Sequence, residues 1–259
     1  MEKSKELYKD NFTDYLLCLA MDVGEGMLES GGEVARVERT IEMICRAYGA
    51  IHVEVFSIIS VINATIRMPD GSYSSQMRRV KSSSNDLYRL ELYNEISRTI
   101  CSETPSLADF DKRLHSLKGK RAYPSWMILP ASALAAASFA VFFGGGWLEC
   151  VFAAFVGVVL GVIDLTLSNR LNDLAKIVIS AFVAGLLSTL ASVILTGVNS
   201  GEIMIGTIML LVPGVAFGTA LRDLLCGDII AGSLKTVQAI LSALMIAFGY
   251  LLSMLVFAL

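Results

Sequence analysis

The stretch Leu211-Val-Pro-Gly-Val-Ala-Phe-Gly-Thr-Ala-Leu-Arg-Asp-Leu-Leu-Cys-Gly-Asp228 decides how the chain is read. It begins inside an apolar run, breaks at Pro213-Gly214, and ends in Arg222-Asp223 and Gly227-Asp228. Apolar segments long enough to cross a bilayer surround it. Proline and glycine inside such a run free backbone groups that lipid cannot satisfy, so the break belongs inside protein or along a cavity. Ionisable residues beside a span are costly and mark candidate substrate or ion paths. The bland alternative is a proline kink followed by a solvated turn. Break, charges and glycines within eighteen residues favour a functional reading.

Outward from this stretch the composition splits. Residues 1–121 hold 17 of the 21 Lys and Arg and 18 of the 24 Asp and Glu. Residues 122–259 hold four basic and six acidic side chains, with 14 of the 21 glycines. The first part has the charge density of a water-soluble domain. The second has too few polar groups to cover a wet surface. The expected architecture is therefore an α-helical multi-pass membrane protein with an N-terminal cytoplasmic α+β domain over 1–121 and a transmembrane domain over 122–259. No basic stripe or aromatic platform suits nucleic acid.

The N-terminus, Met1 to Asp10, is charged and lacks the apolar core of a signal peptide, so the first domain is expected to stay where it is made. Cys18, Cys45, Cys101, Cys150 and Cys226 show no C-x-x-C pair and read as reduced thiols. His52 and His115 have no second ligand at metal spacing, and no metal or cofactor is expected.

Residues 11–29 read as a helix with Phe12, Tyr15, Leu16, Leu19, Val23 and Met27 on one stripe. A second helix, Glu33 to Tyr48, turns Val34, Val37, Ile41, Ile44 and Cys45 inward and stops at Gly49. Its charges, Glu33, Arg36, Glu38, Arg39 and Glu42, read as an ion-paired solvated face. From Ile51 to Met68 the pattern is β-branched, and Pro69-Asp70-Gly71 turns it into a return strand, Tyr73 to Val80. Ser82-Ser-Ser-Asn85 offers caps for a helix through Ile100. Thr104-Pro105-Ser106 starts another running to Leu117.

Lys118-Gly-Lys-Arg121 is the expected border. Five candidate spans follow, over 124–143, 147–167, 176–197, 203–221 and 229–257, each near the ~20 apolar residues a crossing needs. Lys118, Lys120, Arg121, Arg170, Lys176, Arg222 and Lys235 all fall on one side of this arrangement. The alternate connections, Gly144-Gly-Gly146 and Val198 to Glu202, contain no Lys or Arg. The positive-inside rule makes the charged side cytoplasmic and puts Leu259 outside. Gly157 and Gly161, and likewise Gly214 and Gly218, have the small-xxx-small spacing of close helix pairs. Polar groups gather at the cytoplasmic ends: Asp164, Asn169, Asp173, Arg222, Asp223, Asp228 and Lys235. Asp164 lies within an apolar run and calls for a partner, either Arg222 or Lys235.

Several of these segments resemble the threonine/serine exporter family, in the two-component form whose larger subunit has a cytoplasmic domain and five spans. They are Gly32-Glu-Val-Ala-Arg-Val-Glu-Arg-Thr40 with Ile44-Cys-Arg-Ala-Tyr-Gly49, then Pro69-Asp-Gly71 and Met77-Arg-Arg-Val80. Leu211-Val-Pro-Gly214 with Arg222-Asp223, Gly227-Asp228 and Gly232 completes the pattern and is its specific part. The resemblance implies a secondary exporter of the inner membrane for threonine and serine or a dicarboxylate such as succinate. It also implies a second, smaller multi-pass membrane subunit. Two five-span units of opposite orientation would make the inverted repeat of many transporters. A homo-oligomer is compatible with the sequence.

Three functions compete. A transporter subunit accounts for the broken span, the intramembrane charges and the glycine-rich bundle. A membrane-anchored cytoplasmic enzyme or sensor acting through 1–121 would need one or two spans, and no catalytic constellation appears there. A scaffold would not need Arg222, Asp223 or Asp228. The expected path residues are Pro213, Gly214, Arg222, Asp223, Gly227, Asp228, Asp164 and Lys235. Arg222 is expected to take the substrate carboxylate through its planar fork, with Asp223 or Asp228 orienting it or carrying the coupled proton. Lys176 serves in this reading only as a topological charge, its replacement by Arg a neutral control.

Overall fold

The computed structural model describes residues 11–80, 84–117, 123–167, 171–195 and 197–258. Lys118 to Arg121, Ser82-Ser83, Asn169, Arg170, the first ten residues and Leu259 lie outside the described residues. The chain divides into two compact units. One comprises Met1–Ala122 and Val215–Thr236, the other Tyr123–Gly214 and Val237–Leu259.

In the first unit, helix α1 (Phe12–Glu29) starts on Asn11, whose side chain accepts from the Thr13 amide. The run Leu16 to Met21 is apolar around the whole helix, and every residue in it is at most 1% exposed. A helix apolar on all sides is a buried one. The single stripe read from sequence is therefore too narrow, and Phe12, placed on it, is half exposed. Helix α2 (Val34–Ala47) is amphipathic: Val34, Val37, Ile41, Ile44 and Cys45 are buried, while Arg36 and Arg39 are exposed. It ends at Gly49, where φ is +93°, the left-handed geometry that suits glycine.

Strands β1 (His52–Ile58), β2 (Val61–Arg67) and β3 (Tyr73–Arg79) form an antiparallel sheet in that order. The β-branched stretch from Ile51 to Met68 is thus two strands, folded at Ile59-Ser60 with Ile58 opposite Val61. The Pro69-Asp70-Gly71 turn forms as expected, with Arg67 opposite Tyr73. Asp70 accepts from the Ser72 amide and hydroxyl, at 2.9 and 2.7 Å. In β2, Ile62, Ala64 and Ile66 are buried, whereas Asn63 is exposed and Thr65 half-buried, the period-2 signature of one covered face. Burying each isoleucine contributes about 1.5–3 kcal/mol.

Helix α3 (Leu87–Glu103) is capped by Asp86, whose carboxylate accepts from the Arg89 amide. Ser84 is used otherwise, donating its amide and hydroxyl to the Glu29 carbonyl. Helix α4 (Leu107–His115) is capped by Ser106.

The second unit holds α5 (Ile128–Phe142), α6 (Trp147–Leu167), α7 (Asp173–Ile194), α8 (Ser200–Leu211) and most of α10 (Ile229–Ala258). Its core mixes alanines, including Ala136, Ala140, Ala153, Ala181 and Ala184, with larger residues such as Leu160, Ile203, Ile246 and Tyr250. Other large apolar side chains point outward: Phe142, Phe155, Val193 and Phe248 are all more than half exposed. An apolar exterior over an alanine-rich core suits helices whose surroundings are lipid. A Cβ on Gly157 would sit 2.5 Å from the Ser132 carbonyl oxygen, and one on Gly206 2.8 Å from that of Ala136. Helix α5 is held against α6 and α8 at backbone distance by these two glycines.

Helices α6, α7 and α10 are long and apolar enough to cross a membrane. Helix α8 and helix α9 (Gly214–Leu225) pass the same test only as a pair, which gives up to four spans against the five expected from sequence. The expected crossing at 203–221 is interrupted by Val212-Pro213, between those two helices. The expected crossing at 124–143 is a helix of 15 residues. At 1.5 Å per residue that is about 22 Å, short of the ~30 Å apolar slab.

Candidate functional site

A cavity of about 390 Å³ opens in the second unit, among α5, α6, α7 and α8. Ser132, Gly161, Asp164, Lys176, Ser180 and Leu211 are among its walls. Gly161 stands one turn before Asp164. A Cβ there would lie 3.1 Å from the Leu129 side chain and 3.3 Å from Ser132 Oγ, so its absence keeps α5 close. Lys176 sits in the first turn of α7, whose N-cap position is Asn172. Its Nζ donates to Asp164 Oδ1 at 2.7 Å and lies 3.8 Å from Asp173 Oδ1. The Lys176 side chain is 19% exposed and that of Asp164 52%. An ammonium among apolar helices is costly, and two carboxylates offset part of that cost. Asp164 therefore has Lys176 as partner, where the sequence suggested Arg222 or Lys235.

Leu210 and Leu211, the last residues of α8, line this cavity directly before the break. Val212 is extended, at φ −65° and ψ 126°, and the Gly214 amide donates to the Val212 carbonyl at 2.8 Å. Pro213 and Gly214 follow the last lining residue, Leu211, without being part of the wall, and Gly214 opens α9.

Five other expected path residues belong to the first unit. Lys235 Nζ donates to Asp223 Oδ2 at 2.6 Å. The Asp223 side chain is 2% exposed. The Asp228 amide donates to the Asp223 carbonyl at 2.9 Å, and Gly227 makes that turn with φ +95°. Gly232 lies under Leu224, where a Cβ would be 2.6 Å from the leucine Cγ. Arg222 binds neither aspartate: its guanidinium meets Glu33 Oε1 at 2.7 Å. Glu33 begins α2, and Glu38 on the same helix accepts from the Ser57 amide at 2.6 Å. The sequence read both acids as part of an ion-paired solvated face; Glu33 is ion-paired, whereas Glu38 is held by the Ser57 amide and hydroxyl. Burial pushes the Glu38 carboxyl above the ordinary glutamate range, the Ser57 hydrogen bonds oppose that, and the charge of Asp228 adds to it.

Lys176 is the site residue the sequence reading missed. The available signal was its position at the mouth of an apolar span, twelve residues after Asp164. Glu149 lies in the first turn of α6. It is 6% exposed, and its Oε1 accepts from the Asn199 amide at 2.9 Å. Among the described residues, no group of three or more His, Cys, Asp or Glu is placed to hold a metal ion.

Long apolar helices, an alanine-rich core and a charged cavity among them define a multi-pass membrane protein of the transporter class. A family profile described as "Putative threonine/serine exporter" matches residues 18–257, and the chain belongs to that ThrE family. It is 26% identical over 251 residues to a "Probable threonine/serine exporter" of Mycobacterium tuberculosis, covering 95% of this chain and 47% of that one. The chain therefore spans about half the length of that relative. It is 27% identical over 234 residues to a "Probable succinate transporter subunit YjjP" of Klebsiella aerogenes, covering 88% of each. The Escherichia coli protein of the same description is 26% identical, covering 93% of this chain and 94% of its own. No solved structure is significantly similar.

Proposed function

We propose that the chain is the larger subunit of a two-component secondary exporter of small carboxylate-bearing metabolites, threonine and serine or a dicarboxylate such as succinate. The observation that carries this is the Lys176–Asp164 pair in the wall of the bundle cavity. A carboxylate entering the cavity competes with Asp164 for the Lys176 ammonium. Asp164, released, is the group that takes the coupled proton. Ser132 and Ser180 offer hydroxyls to the rest of a small polar substrate. The sequence reading gave the carboxylate to Arg222, and we move that role to Lys176, because Arg222 stands against Glu33 in a different pocket.

A second, smaller multi-pass subunit is part of this proposal. The word "subunit" in the description of the Klebsiella relative, whose length the chain matches to 88%, supports it. The proposal also includes the inner membrane as location, with 1–121 cytoplasmic as the soluble domain, 122–259 as the transport domain, and the C-terminus outside. The competing enzyme or sensor reading finds less support, since relatives along the chain are named as exporters and transporters.

The test is efflux from vesicles holding the co-expressed pair, loaded in turn with threonine, serine, succinate and an uncharged control. Saturable efflux of a carboxylate, dependent on both chains and on a proton gradient, is the expected result. Export of the uncharged control as fast as of any carboxylate would overturn the assignment.

A further inference from the structure

The first unit holds a second cavity, of about 550 Å³, that the transport reading does not use. Arg36 and Arg39 come to it from α2, Arg98 from α3 and Arg222 from α9. Glu33 is the one acid in its wall, so four guanidinium groups face a single carboxylate. Arg222 is held by that carboxylate at 2.7 Å. Among the described residues, Arg36, Arg39 and Arg98 have no carboxylate partner. Arg98 donates its Nε to the Asn94 carbonyl at 3.3 Å. This concentration of positive charge occurs in a chain whose net charge is −3. Like charges gathered without counter-ions repel, and leaving them so lowers stability unless an anion fills the space.

We propose that this pocket binds a small phosphate-bearing metabolite carrying at least two negative charges. The three non-ester oxygens of a phosphate monoester accept from several directions at once. Arginines approaching from three helices match that arrangement better than they match the two coplanar oxygens of a carboxylate. The cavity is larger than a bare phosphate, so an organic portion fits. The Asn94 amide in the wall is suited to its hydroxyl groups, the Thr40 and Ser97 hydroxyls, which already donate to the Arg36 and Asn94 carbonyls, can accept from them, and Ala35 and Met43 give its carbon skeleton an apolar surface. All four arginines are exposed at the rim, so binding is screened by salt. The ligand arrives either as a soluble phosphate ester or as the headgroup of phosphatidic acid, which present the same chemistry.

The test uses the purified full chain and two soluble probes, glycerol 3-phosphate and inorganic pyrophosphate, followed by calorimetry. The expected result is saturable binding that weakens as salt rises, with succinate binding at least about tenfold more weakly. Arg36→Gln/Arg39→Gln is expected to lose about tenfold or more in affinity for both probes. Arg36→Lys/Arg39→Lys keeps the charge and is expected to lose less, which guards against a misfolded variant. In nanodiscs, glycerol 3-phosphate binding that survives added phosphatidic acid assigns the site to a soluble ester. Binding abolished by that lipid, but not by phosphatidylcholine, assigns it to the headgroup. Unchanged affinity in Arg36→Gln/Arg39→Gln, no saturable binding of either probe, or equal binding of succinate would overturn the proposal.

Discussion

Lys235 and Asp223 form a closed pair: the ammonium lies 2.6 Å from a carboxylate that is 2% exposed. A buried pair is a weak source of stability as a whole but costly to break, because one charge is left without its counter-ion. Asp223→Asn or Lys235→Met alone is expected to destabilise the protein by about 3 kcal/mol. The double variant is expected to lie closer to the parent than either single one. Thermal unfolding of the four proteins gives the coupling. Additive losses would show that the two groups do not act as a pair.

Lys176→Met removes the ammonium from the bundle cavity. Carboxylate efflux by the co-expressed pair is expected to fall more than about tenfold while membrane insertion is kept. Asp164→Asn keeps the shape of the site but cannot be ionised, so export is expected to become independent of the proton gradient. Parental transport in Lys176→Met would remove this residue from the path.

Two glycines make opposite predictions. A methyl on Gly157 meets the Ser132 carbonyl oxygen at 2.5 Å, whereas one on Gly218 meets nothing within 4 Å. Gly157→Ala is expected to lose about 1–3 kcal/mol through a forced shift of α5. Gly218→Ala is expected to gain about 0.4–1 kcal/mol by restricting the unfolded chain. Equal melting temperatures for the two variants would contradict the packing described for α5 and α6.

Glu38 gives a pH signature. Its folded carboxyl is raised by burial, so between the unfolded and folded values the native state binds more protons. Stability is then highest below the ordinary glutamate range and declines as pH rises through the folded value. Glu38→Gln retains an oxygen for the Ser57 amide and removes the ionisation. The melting temperature of the parent is expected to fall more steeply than that of the variant between about pH 4 and pH 7. Parallel curves would assign the dependence to other groups.

Basic residues predict the orientation. A phosphatase fused after Leu259, active only outside the cytoplasm, is expected to be active, and a fluorescent protein that folds only inside is expected to be dark. The reverse pattern would invert the topology.

What the sequence disclosed depended on the range of the interaction. The helix at Val34–Ala47 and the turn at Asp70-Gly71 follow from local periodicity and turn chemistry, and both formed where expected. The fold at Ile59-Ser60 carries no glycine, asparagine or proline, so a tight turn there is silent in the chain. Burial of α1 on every side was written in Leu16 to Met21 but hidden by a search for one stripe. The break at Pro213-Gly214 was legible because proline cannot continue a helix ladder. The partners of the charges were not. Which carboxylate meets Arg222 is a long-range matter, 189 positions away along the chain, and no local rule points to Glu33. Lys176 was overlooked because one lysine at the end of a span is also what topology alone requires.

Gly157, Gly206 and Gly249 each turn a bare Cα towards backbone, to the carbonyl oxygens of Ser132, Ala136 and Val178, and Ser188 and Ala184 continue the same texture. Interlocked leucines must disengage before two helices can slide, whereas glycine against carbonyl has no tooth to lift. In mechanical terms the contacts of α5 with α6 and α8 are bearings rather than gears. Sideways shear of one helix along another meets low friction there, and separation of the helices does not, because their contact area is lost all at once. A wall that slides without parting can change which end of the cavity is open while the bundle stays sealed.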